Sequence, residues 1–254
     1  MSQADKAAAF AALHVPGTPL VIYNIWDAGT AKAVSQAGAK AIATGSWSVA
    51  EAQGYPDGEH IPLDVLLPIA TRIVASTDLP VSIDFEGGYA TEPEPLAAHI
   101  TALIGTGAIG LNFEDQVVGG DGLYPLDTQV ARIKAVRAAA DAAGVPLFIN
   151  ARTDLFLKSK PDAHADHMAE ALDRAAAYAE AGGSGFFIPG LTDHDMITQV
   201  CEAASLPVNV MMRGKLSSVS QVAALGVART SYGPGPFANA MTQAAEGFTA
   251  AAAS

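Results

Sequence analysis

The chain contains 254 residues, half of them hydrophobic, which is enough for one large domain or two small ones. Its formal net charge of −12 argues against nucleic acid and anionic membrane surfaces as partners, and no run reaches the roughly 18 apolar residues of a membrane span. The single cysteine, Cys201, excludes an internal disulfide and favours a cytoplasmic location.

Short apolar runs alternate with helical segments along the whole chain. A leading helix is predicted within 1–17, and Asp27 has the side chain of a helix N-cap. The predicted strands, in chain order, are 20–24, 40–44, a run that begins at 81, 108–113, 146–150, 185–189, 207–211 and 227–231. The predicted helices between them are 28–37, 63–76, 96–104, 126–143, 165–181, 193–204 and 216–225, with a final helix within 234–254.

This strand–helix repetition is typical of a parallel sheet. Eight such units in about 230 residues fit an α/β fold of the (β/α)8 TIM-barrel type better than an open, doubly wound sheet. We therefore predict a single barrel domain over 1–254. In such barrels the active site lies at the C-terminal ends of the strands, so polar residues that follow a strand are the candidate site residues.

Two acidic residues follow the third predicted strand. Asp84 and Glu86 are separated by one residue and precede Gly87-Gly88. In a strand their side chains point to the same side, where two negative charges repel unless a cation or a proton lies between them. Mg²⁺ is one solution because it prefers oxygen ligands and keeps several waters. The alternative is a pair of solvated carboxylates at the start of a turn.

Further polar residues follow the neighbouring strands. They are Thr44, Gly45 and Ser46 after the second strand, Glu114 after the fourth, and Asn150 and Arg152 after the fifth. An acidic protein can hold an anionic substrate only where positive charge is concentrated. Mg²⁺ on Asp84, with Glu86 and Glu114 holding its waters, would supply some of that charge. Arg152 offers a planar fork for a carboxylate or phosphonate, and the Gly45 and Ser46 amides could take a second carboxylate oxygen.

At these positions the sequence resembles the isocitrate lyase/phosphoenolpyruvate mutase superfamily, in its methylisocitrate lyase and phosphonomutase-like branch. The similar segments, in order, are 44–47, 54–57, 83–89, 113–116 and 150–154. The resemblance implies a barrel that needs Mg²⁺, with Mn²⁺ as an alternative, and that acts on small 2-oxo or 2-hydroxy acids through an enolate. It also implies a homodimer or homotetramer, often with the last helix exchanged between subunits.

The resemblance also assigns roles to individual residues. Asp84 would ligate the metal directly, and Asp57, Glu86 and Glu114 would hold metal-bound water. The substrate would contact Arg152, Asn150 and the Thr44–Ser46 backbone, and Trp47 would line the pocket. Asp57, Glu114 and Arg152 are thus the predicted catalytic residues. Glu86 departs from the pattern because the family usually has Asp there.

The loop 117–124 departs further from the family pattern. The lyases carry a Cys there that shuttles a proton, and the mutases carry a Lys, but this loop contains neither and no His. Decarboxylation needs no dedicated proton donor because water can protonate an enol. The sequence therefore favours a carbon–carbon lyase or decarboxylase. Chemistry at a phosphorus–carbon bond, and a catalytically silent barrel that binds oxo acids, are the alternatives.

Overall fold

The computed structural model describes residues 1–253, so that Ser254, the last residue of the predicted domain and final helix, lies outside the described residues. It contains one eight-stranded sheet in which neighbouring strands pair in parallel. The strands are β1 (Leu20–Ile22), β2 (Ile42–Ala43), β3 (Val81–Asp84), β4 (Gly110–Glu114), β5 (Phe148–Arg152), β6 (Gly185–Phe187), β7 (Val208–Met211) and β8 (Arg229–Ser231).

The sheet curves round on itself. Its strands follow the order β1-β8-β7-β6-β5-β4-β3-β2, and β1 pairs with β8 in the register Leu20 to Arg229. The chain beyond β1 reaches β2 through a single parallel bridge between Ile25 and Thr44. The predicted (β/α)8 barrel is therefore confirmed, with one short contact between its first two strands.

Helices surround the strands. They are α1 (Gln3–Ala12), α2 (Ala28–Gln36), α3 (Ser46–Ala52), α4 (Leu63–Ala75), α5 (Pro93–Gly105), α6 (Leu126–Ala142), α7 (Leu155–Lys158), α8 (Met168–Glu180), α9 (His194–Ala203), α10 (Val219–Ala224) and α11 (Gly235–Ala252), with a 3-10 helix at Pro161–His167. Asp27 caps α2 as predicted, because its carboxylate accepts the Thr30 amide at 2.7 Å. None of these helices combines the length and hydropathy that a bilayer crossing requires.

The main differences from the prediction lie at the C-terminal ends of the strands. The short helices α3 and α7 were not predicted, because seven and four residues are too few to show a helical period. The strands β4 and β5 begin two residues later than predicted and extend to Glu114 and Arg152, which are paired in register. Both side chains therefore belong to rigid strands rather than to loops.

The opposite end of the barrel is closed by α1. Phe10 lies edge-on to Phe148, the first residue of β5, with ring centroids 5.2 Å apart, and His14 stacks on the same ring at 4.1 Å. Arg229, the first residue of β8, is fully buried beside them, 5.9 Å from the Phe10 ring centroid. This aromatic cluster packs at the N-terminal end of the barrel.

The last helix, α11, leaves the barrel. Within 235–252 its buried residues are Pro236 and Phe237, and nearly all of the remainder, including Met241 and Phe248, is exposed. Val21 and Tyr23, which alternate with the inward-facing residues of β1, are also exposed. The chain thus leaves an apolar helix and an uncovered part of the barrel wall open to solvent.

Candidate active site

A cavity of about 440 Å³ lies at the C-terminal ends of the strands. Its walls come from residues on both sides of the barrel mouth. The predicted site residues that line it are Gly45, Ser46, Trp47, Asp57, Asp84 and Arg152. The prediction that polar residues after separate strands meet at one rim is therefore confirmed for this group.

Asp84, the last residue of β3, is fixed by its neighbours on β2 and α3. Its amide donates to the Thr44 hydroxyl at 2.8 Å, and its Oδ2 accepts the Ser46 amide at 3.0 Å. Its Oδ1 is buried and accepts no hydrogen bond from any residue within 1–253. Because a buried carboxylate oxygen without a partner is costly, Oδ1 is the atom of this site best suited to meet a cation or a ligand.

The backbone amides of Gly45 and Ser46, which were predicted to bind substrate, both donate to groups of the protein, although both residues line the cavity. The Ser46 amide is bonded to Asp84, and the Gly45 amide donates to the Ile25 carbonyl at 3.2 Å, across the bridge that joins the first two strands. Thr44 is buried and does not line the cavity. Its carbonyl accepts the side-chain amide of Asn24 at 2.8 Å.

Glu86 does not share a strand face with Asp84, because β3 ends at Asp84 and Glu86 adopts a left-handed backbone with φ of +49°. Its side chain is buried, and its Oε2 accepts the Glu59 amide at 3.0 Å. Burial and the nearby charge of Glu114 raise the pKa of Glu86 to about 9. Without a cation, Glu86 therefore carries a proton at neutral pH.

Glu114 and Arg152 form a buried ion pair, with Oε2 and Nη1 2.8 Å apart. Gln116 donates to the other Glu114 oxygen at 3.0 Å. Asp154 binds the guanidinium on its second side, at 2.6 Å from Nε and 2.9 Å from Nη2. Burial raises the pKa of Glu114 to about 8, whereas burial of Arg152 is outweighed by its two acidic partners, which raise its pKa. The Arg152 charge opposes the effect of burial on the Glu114 pKa, so that the ion pair is kept, and Glu114 and Asp154 together hold the Arg152 fork at the cavity wall.

The acidic residues do not form a ready-made cage for a metal. Within 1–253, no three His, Cys, Asp or Glu side chains are grouped as metal ligands. Of the three predicted metal residues, Glu86 accepts the Glu59 amide through Oε2 and Glu114 is paired with Arg152, whereas Asp84 has a buried oxygen without a hydrogen-bond partner. Mg²⁺ commonly binds through one or two carboxylates and several waters. The donor set therefore fits Mg²⁺ on Asp84, with the other acids as partners for its waters.

Asp57 lines the cavity from the loop before α4, and its side chain is exposed. Partial burial and the negative charge of Asp84 raise its pKa. Asp57 and Asp84 line the same cavity, so a cation between them would reduce this repulsion.

The comparison with known proteins was decisive for the family. The family model for phosphoenolpyruvate phosphomutase matches residues 10–252 of this chain. The chain belongs to the isocitrate lyase/phosphoenolpyruvate mutase superfamily. It is 32% identical to 2-methylisocitrate lyase of Escherichia coli K12, in a match that covers 97% of this chain and 84% of that enzyme. Its named relatives thus include lyases and mutases.

Solved structures agree with this assignment. A provisionally named phosphonomutase from Burkholderia cenocepacia J2315 is 45% identical, with a TM-score of 0.94, 96% of this chain covered and 98% of that one. Phosphonopyruvate hydrolase in complex with oxalate and Mg²⁺ has a TM-score of 0.84 at 21% identity, over 98% of this chain and 86% of that one, which shows a shared fold.

Asn150, which was predicted to contact the substrate, lies below the surface of the cavity. It is buried, does not line the cavity, and donates to the Asn112 side chain at 2.8 Å. The predicted substrate contact of Asn150 is therefore corrected to a supporting one. The cavity is lined instead by Asn112, two residues before Glu114 on β4.

Other lining residues were also missed by sequence reasoning. They include Asn112, Arg213 and Ser231 among the polar ones, and Leu157, Phe187, Pro189 and Met211 among the apolar ones. Asn112 could have been predicted from the sequence, because it is a polar residue inside an apolar run. It is also two residues from Glu114 on β4, so that both side chains point to the same face of the strand. Arg213 carries no such signal, since it follows β7 in an exposed turn.

The apolar wall includes Trp47, as predicted. Its indole ring lies edge-on to Phe237 at 5.6 Å, and Phe237 also contacts Trp26 at 5.1 Å. The start of α11 is thereby packed against the cavity, and Ala238 from the same turn lines it. The superfamily's expected pocket aromatic is thus fixed by the last helix.

The loop 117–124 is folded rather than extended. The Val117 amide donates to Gly122 at 3.1 Å, and the Tyr124 amide donates to Asp115 at 2.8 Å. The Tyr124 hydroxyl lies 3.0 Å from the Thr91 hydroxyl. The loop offers no Cys, Lys or His to the cavity, in contrast to the superfamily's lyases and mutases.

Proposed function

We propose that this protein is a Mg²⁺-dependent lyase or decarboxylase that acts on small 2-oxo or 2-hydroxy acids. The observation that carries the proposal is the free Oδ1 of Asp84, which is buried at a cavity whose other acidic residue, Asp57, is repelled by it. A cation at Asp84 would offset this repulsion and attract an anionic substrate. Mn²⁺ would satisfy the same donors.

Family members whose names include 2-methylisocitrate lyase and oxaloacetate decarboxylase support the reaction class. The protein of similar fold that holds oxalate and Mg²⁺ supports the cofactor. The loop 117–124 supports a reaction that ends with protonation by solvent, because it carries no proton-donating Cys.

The residues of the chain have distinct tasks in this proposal. Asp84 would hold Mg²⁺, and Asp57, Glu86 and Glu114 would accept hydrogen bonds from its waters. When bound, Mg²⁺ supplies a Lewis acid that stabilises negative charge as it develops on the chelating oxygens of the substrate. Arg152, clamped by Glu114 and Asp154, orients a carboxylate through the N–H groups that face the cavity.

The apolar wall has a separate task. Trp47, Phe187 and Met211 line the cavity beside the charged residues. They exclude water from the reacting centre, which strengthens every electrostatic interaction there. A wall of this kind also suits a substrate that carries an alkyl group.

The proposal is tested by a panel of 2-oxo and 2-hydroxy dicarboxylic acids with Mg²⁺, in which released oxo acid is trapped. We expect turnover that EDTA abolishes and Mg²⁺ restores. Asp84→Asn should reduce the turnover at least about 100-fold. Replacing a residue that only supports a metal ligand already lowers metal affinity or activity by about 10–100-fold. The control is Asp166→Asn, which removes the same charge at an exposed position of the 3-10 helix and should leave turnover unchanged.

Two other outcomes would contradict this proposal and favour the alternatives. Cleavage of phosphonopyruvate alone would assign the protein to phosphorus–carbon chemistry. Calorimetric binding of oxo acids without any product would make it a silent binding barrel. Full activity of Asp84→Asn on the true substrate would remove the metal site from the mechanism.

The proposal includes a homodimer or homotetramer in which α11 packs on a partner. The exposed apolar residues of α11 and the uncovered wall at Val21 and Tyr23 support it, because both would be buried by such an exchange. A cytoplasmic location is also part of the proposal and rests on the single cysteine.

A further inference from the structure

Two arginines line the active-site cavity, and they differ in the charge they leave available. Arg152 contacts both Glu114 and Asp154, at 2.8 Å and 2.6 Å. Its positive charge is therefore balanced within the wall. Arg213, in contrast, takes part in no ion pair or side-chain hydrogen bond with any residue in 1–253. Its charge is thus directed to the solvent and to the cavity.

The backbone around Arg213 is held in place although the side chain is free. Its carbonyl accepts the Leu216 amide at 3.0 Å, which closes a turn after β7. Arg213 lines the cavity together with Met211 and Phe187. In a protein with a net charge of −12, an unpaired guanidinium beside an apolar wall is an attractive site for a negative group.

The topology places Arg213 opposite the proposed metal residue. Asp84 ends β3, and Arg213 follows β7. In the strand order these two strands are four positions apart in either direction round the closed barrel. A ligand with one end at Asp84 therefore points its other end across the mouth towards Arg213.

We propose that Arg213 determines specificity by binding a second anionic group, at the end of the substrate remote from Asp84. This inference rests on the proposed function. It assigns the substrate to dianionic 2-oxo or 2-hydroxy acids and disfavours monocarboxylic acids of the same length. Arg152 then orients the reacting end, and Arg213 selects for the distal charge.

The test compares matched ligands that differ only in the distal group. Calorimetry with Mg²⁺ present measures the binding of 2-oxoglutarate and of 2-oxopentanoate, which has a methyl group in place of the second carboxylate. The same comparison is made with malate and 2-hydroxybutyrate. The variants are Arg213→Gln, Arg213→Lys and, as a control, Lys215→Gln, which removes a positive charge from an exposed position two residues along the same turn.

We expect the wild-type protein to prefer the dianionic member of a pair, and Arg213→Gln to weaken that member by about tenfold or more, as expected for a hydrogen-bonded ion pair. The monoanionic member should change by less than about twofold, because it makes no contact with the arginine. Arg213→Lys should restore part of the preference, and Lys215→Gln should change neither ligand. Because Arg213 is exposed, all variants are expected to keep the wild-type melting temperature.

The outcomes separate this inference from the proposed function. If the wild-type protein binds monoanionic acids as tightly as dianionic ones, or if Arg213→Gln weakens both equally, the role of Arg213 is disproved and the proposed function stands. If the wild-type protein binds neither class with Mg²⁺, the proposed function fails and this inference fails with it.

Discussion

Polar atoms without partners lie at both ends of the barrel, and their surroundings decide what each one does. Asp84 Oδ1 is buried next to an open cavity, so a ligand can reach it. His14 Nε2 and the Arg229 guanidinium have no partner within 1–253 either, but they are enclosed by Phe10 and Phe148 and do not line that cavity. The first is a site for binding, whereas the other two are a cost in stability.

His14 gives a prediction about pH. Burial and the positive charge of Arg229 lower its pKa in the folded protein to about 3, from an ordinary value near 6.5. Between these values the unfolded chain binds a proton that the folded chain does not, so the titration of His14 leaves stability unchanged above pH 6.5 and lowers it as the pH falls from 6.5 towards 3. The loss should approach about 1.4 kcal/mol per pH unit.

Urea denaturation from pH 7 to pH 4 measures this slope. In His14→Gln, which cannot take up the proton, the slope should decrease by that amount. His60→Gln removes an exposed histidine and is the control. An unchanged slope in His14→Gln would show that another group is responsible.

At the scale of elements, the strands could be predicted from the sequence, but the conformation of the residues that follow them could not. Eight apolar runs bounded by Gly and Pro predicted the barrel, because a strand that is buried on both faces is a continuous run of hydrophobic residues. Glu86 shows the limit, since its left-handed backbone depends on contacts with Glu59 and not on its neighbours in sequence. The same holds for the Gly45 amide, whose partner Ile25 is brought near only by closure of the barrel. Candidate site residues could be predicted, but their hydrogen-bond partners could not.

The turn after β3 yields a second prediction. Gly88 has φ of +82°, and an added Cβ would lie 2.4 Å from a Leu96 methyl and 3.0 Å from the Phe113 ring. Gly88→Ala should therefore destabilise the fold by about 2–5 kcal/mol, as the sum of a left-handed backbone and overpacking. Gly54→Ala is the control, because Gly54 has φ of +79° with no atom within 4 Å of an added Cβ.

The comparison of the two variants separates the causes. The Gly54 variant should lose only about 1–2 kcal/mol, the cost of the backbone conformation alone. The measurement is the free energy of unfolding in urea. Equal losses in both variants would show that the packing of Leu96 and Phe113 against this turn adapts without cost.

At the scale of the whole molecule, α11 extends from the cavity to an exposed apolar surface. Its first turn packs on Trp47 through Phe237, while Phe248 near its other end is 75% exposed. An apolar side chain so exposed suits an interface between subunits. We therefore expect Phe248→Glu to shift the protein towards the monomer, and Gln243→Glu, an equal charge change on the same helix, to leave it assembled.

Light scattering coupled to gel filtration measures the mass of both variants. An unchanged mass for Phe248→Glu, or a monomeric wild-type protein, would disprove the exchange of α11. If the exchange occurs, the monomer should also lose affinity for oxo acids, because the packing of Phe237 on Trp47 would no longer be supported from the partner.

The single bridge between Ile25 and Thr44 is the shortest contact between neighbouring strands of the barrel. This bridge lies next to the residues that hold Asp84. The Thr44 hydroxyl accepts a hydrogen bond from the Asp84 amide, and the Gly45 amide donates to the Ile25 carbonyl of the other strand. Local unfolding at this bridge would separate the first two strands and, at the same time, release the Asp84 carboxylate from its partners. A ligand bound at Asp84 would therefore also stabilise the contact between the first two strands, so that ligand binding would be coupled to the stability of the fold.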